Sequence, residues 1–318
     1  MVNPVGVLRL WGSFVKVSHT VFALPFALSA MLLAARPNHG WPGWRLFFLI
    51  VGAMVSARTC AMAFNRIVDR RFDGLNPRTA GRHLPSRQIS LGSATALCVL
   101  SAVAFVAIAF GINPLCFYLS PVVLVVVCFY SLTKRFTDFT HVWLGVALAL
   151  APVGAWLAVT GRFEWLPQTN GHLNLQQSSL IPLVLAVAIV FWLVGFDIIY
   201  ATQDYEFDRR QGLHSLVVRW GPGNALSVAF IAHLIMWIIL ALFGMLAQFR
   251  LVYWMALIVI GALLMMEHLL ARRRDPASIN VAFFKLNGVV SIVFLAAVAV
   301  EVTCPWFRLH LAPGTRLF

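Results

Sequence analysis

The chain has 318 residues, of which 61% are apolar and 11% charged, against roughly a quarter charged in a soluble domain. So little polar surface cannot coat the core such a length would build, which excludes a soluble globular protein, a disordered chain and a fibre, and leaves an integral membrane protein of many apolar spans. The 24 Lys and Arg against 11 Asp and Glu, a net charge of +13, fit basic loops beside a membrane; nucleic acid is not an expected partner, because no basic run is interleaved with aromatic residues that stack on bases.

In chain order, the N-terminus imitates a signal peptide, with Arg9, Lys16, an apolar run and small residues near Ala34. The run is long enough to span and further spans follow, so it reads as a first span. Apolar stretches broken by Pro, Gly and charge predict spans near 14–35, 45–68, 92–110, 114–132, 139–160, 180–201, 224–247, 251–271 and 284–304. They are too long and too evenly apolar for barrel strands. The expected fold is all-α, nine transmembrane helices in one domain over residues 1–318. The five cysteines, Cys60, Cys98, Cys116, Cys128 and Cys304, share no CxxC spacing and lie in apolar stretches, as small core residues do.

Seventeen basic residues fall on one side of these spans, six on the other, and Arg58 inside a span. The bias predicts a multi-pass protein of the cell inner (plasma) membrane with its N-terminus and the loops after spans 2, 4, 6 and 8 in the cytoplasm and its C-terminus outside. The outer loop near 161–179 is polar and reads as short cover.

The acids are few enough to take singly. Asp138, Glu164, Asp275 and Glu301 sit near helix ends, and Glu267 lies late in span 8. The other six form two clusters: Asp69 and Asp73, then Asp197, Asp204, Glu206 and Asp208. Asp204 and Asp208 follow Asp69 and Asp73 by 135 residues each, so the chain reads as two four-helix halves plus a ninth helix, with both DxxxD pairs at the cytoplasmic ends of spans 2 and 6. Residues four apart share one helix face, so Asn65, Asp69 and Asp73 make an oxygen-bearing stripe, and like charges so placed repel. Two charges about 4 Å apart interact by about 4 kcal/mol at an effective dielectric of 20. A divalent cation relieves that repulsion, and hard carboxylate oxygens suit Mg²⁺, which commonly takes one or two carboxylates together with substrate phosphates. The plainer alternative pairs these acids with Arg70, Arg71, Arg209 and Arg210 as solvated helix ends.

NRIVDRRFD (65–73), followed by NPRTAGRHLP (76–85), resembles the first aspartate-rich motif of the UbiA-type intramembrane prenyltransferases; DYEFD (204–208), within FDIIYATQDYEFDRRQGLHS, resembles their second, and YSLTKR (130–135) their Tyr/Lys-bearing loop. The likeness covers most of the chain and is closest to the 4-hydroxybenzoate polyprenyltransferase-like subgroup. It implies that a polyprenyl diphosphate binds through Mg²⁺ to both motifs, that its C–O bond ionises, and that an electron-rich aromatic ring captures the allylic cation, in ubiquinone biosynthesis with 4-hydroxybenzoate as acceptor or in menaquinone biosynthesis with a dihydroxynaphthoate.

On that resemblance, Asn65, Asp69, Asp73, Asp204 and Asp208 hold Mg²⁺. Lys134, Tyr130 and Arg82 donate to phosphate oxygens and stabilise the leaving charge. Arg58, two turns deeper than Asn65 on the same face, meets the acceptor's carboxylate, since an arginine buried in a span is a functional candidate by default. Asp197, seven residues before Asp204, positions or deprotonates the acceptor; the alternative is a structural pair of Arg58 with Asp197. Lys16 and His19 line the cavity from span 1. The apolar faces form a chute for the prenyl tail, open to membrane lipid, and no obligate protein partner is expected. Two positions depart from the family pattern: Arg66 stands where many members carry an Asp ligand, and Arg87 where a Gly is frequent. A cation-coupled transporter is the rival class. It would place its acids near mid-bilayer on broken helices with inverted repeats, whereas these acids lie at one face and an even number of spans separates the halves.

Overall fold

The computed structural model describes residues 4–16, 20–165, 168–169, 172–173, 177–273 and 275–304. Its helices are α1 (Pro4–Phe14), α2 (Thr20–Ala34), α3 (Trp44–Leu75), α4 (Leu91–Ile112), α5 (Pro114–Thr133), α6 (Thr140–Thr160), α7 (Leu180–Ala201), α8 (Tyr205–Arg210), α9 (Leu216–Leu246), α10 (Leu251–Ala271), α11 (Pro276–Asn280) and α12 (Asn287–Thr303). The only strands among the described residues are β1 (Gln168–Thr169) and β2 (His172–Leu173), a two-residue antiparallel pairing in the connection between α6 and α7. Helix starts follow local chemistry. Ser90, Asn113, Ser215 and Asp275 each accept a backbone N–H three residues on, and Pro114 and Pro276 occupy first helical positions, where no N–H is needed.

Eight helical segments among the described residues are long and apolar enough to cross a membrane, and the protein is an integral membrane protein of all-α class. The segment expected as the first of nine is described in part: α2 covers 15 residues, Thr20–Ala34, and residues 17–19 before it lie outside the described ones. The last span is not uniform: α11 passes through a π-helix, Val281–Leu286, into α12. Span 6 ends where expected, but the chain then tightens into a 3₁₀ turn at Thr202–Asp204 before α8. Asp204 and Asp208 therefore do not share one regular helix face, as the spacing alone suggests.

Large apolar side chains cover the outward faces; Phe110 and Tyr118 are 72% and 74% exposed, which a lipid solvent favours. The interior gathers on α7, where Trp192 and Phe196 pack against Phe22 and Phe26 of α2, and Phe26 against Phe294 of α12, with ring centroids 4.9–6.4 Å apart. Two glycines allow close approach. A Cβ on Gly145 of α6 would stand 3.0 Å from the backbone of Val190 on α7, and one on Gly195 would enter the ring of His233.

Within this core runs a polar stitch across four helices. Asn287 accepts from Trp192 Nε1 at 2.7 Å and donates to Glu267 Oε1 at 2.9 Å and to the Ala282 carbonyl at 3.1 Å. His233 and His268 share a 2.9 Å bond, and His233 Nε2 meets the Trp192 carbonyl at 3.1 Å. Glu267 and Asn287 are fully buried. Glu267 is thus a structural hydrogen-bonding group that ties α10 to the π-helix and α12, far in the chain from either aspartate cluster. Asn287→Leu should strip partners from Trp192 and Glu267 together and lower stability by roughly 2 kcal/mol, read as an earlier unfolding midpoint in detergent; an unchanged midpoint would deny the stitch any energetic role.

Candidate active site

Because α3 is unbroken to Leu75, Asn65, Asp69 and Asp73 keep the common face their spacing predicts. Asn65 Nδ2 donates to Asp69 Oδ2 at 2.8 Å. Arg135, from the turn after α5, reaches Asp69 Oδ1 at 3.4 Å and the Val68 carbonyl at 2.8 Å. Asp73 is buried and accepts from Arg82 at 2.6 Å, with Arg66 at 3.8 Å on its other oxygen. The Thr79 hydroxyl closes the end of α3 on the Asp73 carbonyl at 3.0 Å.

The second cluster arrives from α7 and α8. Asp204 and Asp208 are both buried. Asp204 Oδ1 accepts from Asn76 Nδ2 at 3.0 Å and Arg78 Nε at 2.9 Å, and Arg78 Nη2 binds Oδ2. Arg78 also donates to the Tyr200 hydroxyl at 2.8 Å, its guanidinium 5.2 Å from the centre of that ring. Asp208 pairs with Lys134 at 3.2 Å. The loop that follows the first motif therefore binds the second directly, across more than a hundred residues of chain, and Lys134 bridges from α5. Burial works against the Lys134 ammonium, but the fields of Asp208, Asp204 and Asp197 outweigh it and raise its proton affinity.

The pairing of these acids with Arg70, Arg71, Arg209 and Arg210 is not what the structure contains. Among the described residues their cationic partners are Arg66, Arg78, Arg82, Lys134 and Arg135, while Arg70 turns to the Ile67 carbonyl. Adjacent residues on a helix point in different directions, so an arginine beside an aspartate in sequence does not face its partner.

Arg58 and Tyr130 lie deeper, at a cavity of about 370 Å³ between α2, α3, α4, α5 and α6. Apart from these two and Ser120 its wall is apolar, with Met54, Phe105, Leu119 and Leu148 among the lining residues. Tyr130 thus accompanies Arg58, whereas Lys134, one turn on, faces the acids. Among the described residues no carboxylate lies within ion-pair distance of Arg58, and its buried Nε has no partner. Asp197 instead meets His141 Nδ1 at 2.6 Å, so a structural Arg58–Asp197 pair does not form.

Lys16 lies in the turn after α1 with a left-handed backbone, φ 50°. Burial, then the charges of Arg66, Arg82 and Arg78, pull its ammonium down to about 7, with Asp73 opposing them. His19 falls outside the described residues. Arg66, which replaces a possible acidic ligand, is buried and adds to this cationic group. Arg87 holds the left-handed conformation, φ 58°, that a Gly adopts without strain. Asn76 and Arg78 sit inside the NPRT segment, Arg66, Arg135 and Tyr200 inside the three quoted motif segments, but none is an acid that spacing would mark; His141 lies in no motif, and tertiary contact alone shows what these residues face.

Every candidate metal donor here is a hard oxygen, the chemistry Mg²⁺ takes. Among the described residues no three Asp, Glu, His or Cys side chains gather closely enough to hold a metal by themselves.

Residues 23–289 match the UbiA prenyltransferase family. The chain belongs to that family. It is an enzyme, an integral membrane prenyltransferase. It is 29% identical over 266 residues to a protein of Methylobacillus flagellatus named 4-hydroxybenzoate octaprenyltransferase, covering 82% of each chain. A Marinomonas protein of the same name is 28% identical over 289 residues, covering 91% of this chain and 93% of that one. Among solved structures, a UbiA homolog from Aeropyrum pernix in its apo form superposes with a TM-score of 0.77 at 28% identity, over 89% of this chain and 98% of that one. A UbiA homolog from Archaeoglobus fulgidus bound to GPP and Mg²⁺ shares the fold, with a TM-score of 0.66 at 20% identity over 92% and 99% of the two chains.

The cluster of Lys16, Arg66, Arg82 and Arg78 is expected to bind inorganic pyrophosphate more tightly as pH falls through about 7, because Lys16 gains its proton there. Lys16→Met should flatten that dependence when affinity is measured by calorimetry across pH, and a slope unchanged by the substitution would exclude Lys16 as its source.

Proposed function

We propose that the protein transfers a polyprenyl group from polyprenyl diphosphate to 4-hydroxybenzoate, in ubiquinone biosynthesis, at the cytoplasmic face of the inner membrane. The observation that carries the reading is the joining of two distant acidic motifs through Asn76 and Arg78 on Asp204, with Lys134 on Asp208, beside an apolar cavity whose charged group is Arg58. A diphosphate fits the first environment, a prenyl tail and an aromatic carboxylate the second. The names of the relatives agree with that acceptor.

Mg²⁺ held by Asn65, Asp69, Asp73, Asp204 and Asp208 would supply the positive charge that stabilises the leaving diphosphate. The chain's own cations act beside it. Lys134, Arg82 and Arg78, now on carboxylates, turn their N–H groups to phosphate oxygens, and these bonds strengthen as the allylic C–O bond breaks and negative charge gathers on the diphosphate. The tail lies in the apolar cavity, open to lipid. Each methylene removed from water contributes about 0.8 kcal/mol, but lipid offers nearly the same, so binding depends chiefly on the charged head. Arg58 holds the acceptor's carboxylate and presents its ring to the allylic carbon, Tyr130 steadies the pair, and Asp197 receives the phenol's proton.

Purified protein assayed with labelled polyprenyl diphosphate and a panel of acceptors tests this. Product with 4-hydroxybenzoate is the expected result; product with a dihydroxynaphthoate alone would move the reaction to menaquinone biosynthesis, and cation flux without product would replace the enzyme by a transporter. Asp69→Ala and Asp204→Ala should each lower turnover at least about a hundredfold in protein that still elutes as a folded species, and full turnover in both would remove the metal role. Arg58→Ala should raise the acceptor KM roughly tenfold or more, the loss of one charge-assisted contact, with the diphosphate KM little changed; an unaltered acceptor KM would reassign the arginine.

A further inference from the structure

Asp197 is half-open and its partner is not. The Asp197 side chain is 21% exposed, while His141 is at 0%. The carboxylate uses Oδ2 for the 2.6 Å bond to His141 Nδ1. Since an ionised carboxylate only accepts, the imidazole proton sits on Nδ1. His141 Nε2 is buried and has no hydrogen-bond partner, so the ring is held by this one polar contact and has nothing else to do there. Burying a histidine with an unpaired nitrogen costs free energy, which an apolar residue in the same place would avoid.

The pair also has a telling position. His141 lies at the start of α6, one turn before Leu144 and two before Leu148, both of which line the cavity that holds Arg58 and Tyr130. Asp197 lies on α7 one turn before Tyr200, whose hydroxyl accepts from Arg78 at the charged rim. The pair therefore ties the helix that lines the tail cavity to the helix that leads to the charged rim.

We infer that His141 is the positioning residue of Asp197, fixing one carboxylate oxygen so that the other accepts the proton of the acceptor's phenol. The inference rests on the proposed aromatic acceptor and names the part of the site that activates it. As the O–H proton passes to Asp197, the phenoxide electron pair strengthens attack by the ring carbon beside it. The new C–C bond forms as the allylic C–O bond breaks, and that electron pair leaves on diphosphate. The displaced ring hydrogen is lost as a proton and the phenol oxygen is reprotonated, so one proton, carried by Asp197, is released in net. Without the His141 bond, the carboxylate is free to rotate about its Cβ–Cγ bond, and neither oxygen is held toward the phenol.

The test uses the full chain in detergent with 4-hydroxybenzoate and 3-fluoro-4-hydroxybenzoate, whose phenol is more acidic and needs less help to ionise. His141→Leu and His141→Gln should lower kcat for 4-hydroxybenzoate by about ten- to a hundredfold with acceptor KM within about twofold. The loss relative to wild type should shrink for the fluorinated acceptor. His141→Asn, whose side-chain amide stands near the place of Nδ1–H, should restore much of the rate. A merely structural histidine would give equal losses on both acceptors, and that result, or an unchanged kcat in both loss variants, or an asparagine variant no better than leucine, overturns the inference. If wild type prenylates neither phenol, it is the acceptor reading that fails, and the dyad falls with it.

Discussion

Four carboxylates at one end of a membrane protein repel one another, and the site exists because cations brought from elsewhere in the chain balance them. Asp73 has Arg82 and Arg66, Asp204 has Arg78, Asp208 has Lys134, and Asp69 has Arg135. None of these partners is the basic residue next door in sequence. A buried pair that loses one member leaves an uncompensated charge, a far greater cost than the net gain of forming the pair. The arrangement therefore joins α3 and the loop after it to α8 and to the turn after α5, segments far apart in the chain.

The same logic explains how two environments coexist a few turns apart. At the rim, charge is dense, and Asp69, Asp73, Asp204 and Asp208 each have a donor. One or two turns deeper, Arg58 and Tyr130 are the main polar features of an apolar cavity, where a carboxylate-bearing ring would find the only cation and a prenyl chain would find hydrocarbon. The His141–Asp197 pair joins α6, which lines that cavity, to α7, which leads to the rim. A second group of buried polar side chains, Trp192, Glu267, Asn287, His233 and His268, is linked by hydrogen bonds across α7, α9, α10 and α12. They hold the scaffold together without entering the charged rim.

Composition and hydropathy were enough for the class of protein and nearly enough for its helices. Long apolar runs in a chain with so few charges must be helices in lipid, because only a helix satisfies its own backbone there. The repeated DxxxD pairs were legible because acidic residues are rare in such a chain and each one is conspicuous. Hydropathy could not show that Val281–Leu286 widens into a π-helix, since that depends on packing that a hydropathy count ignores.

What the sequence determined by itself, then, was the kind of solvent, the helical class and which rare acids stand out as two repeated pairs, all of which follow from local composition and spacing. Tertiary structure alone decided the partners: Arg78 and Asn76 on Asp204, Arg66 beside Asp73, Arg135 on Asp69 and His141 on Asp197. A charge finds its counter-charge by distance in space, and the arginines nearest in sequence point off the helix face that carries the acids.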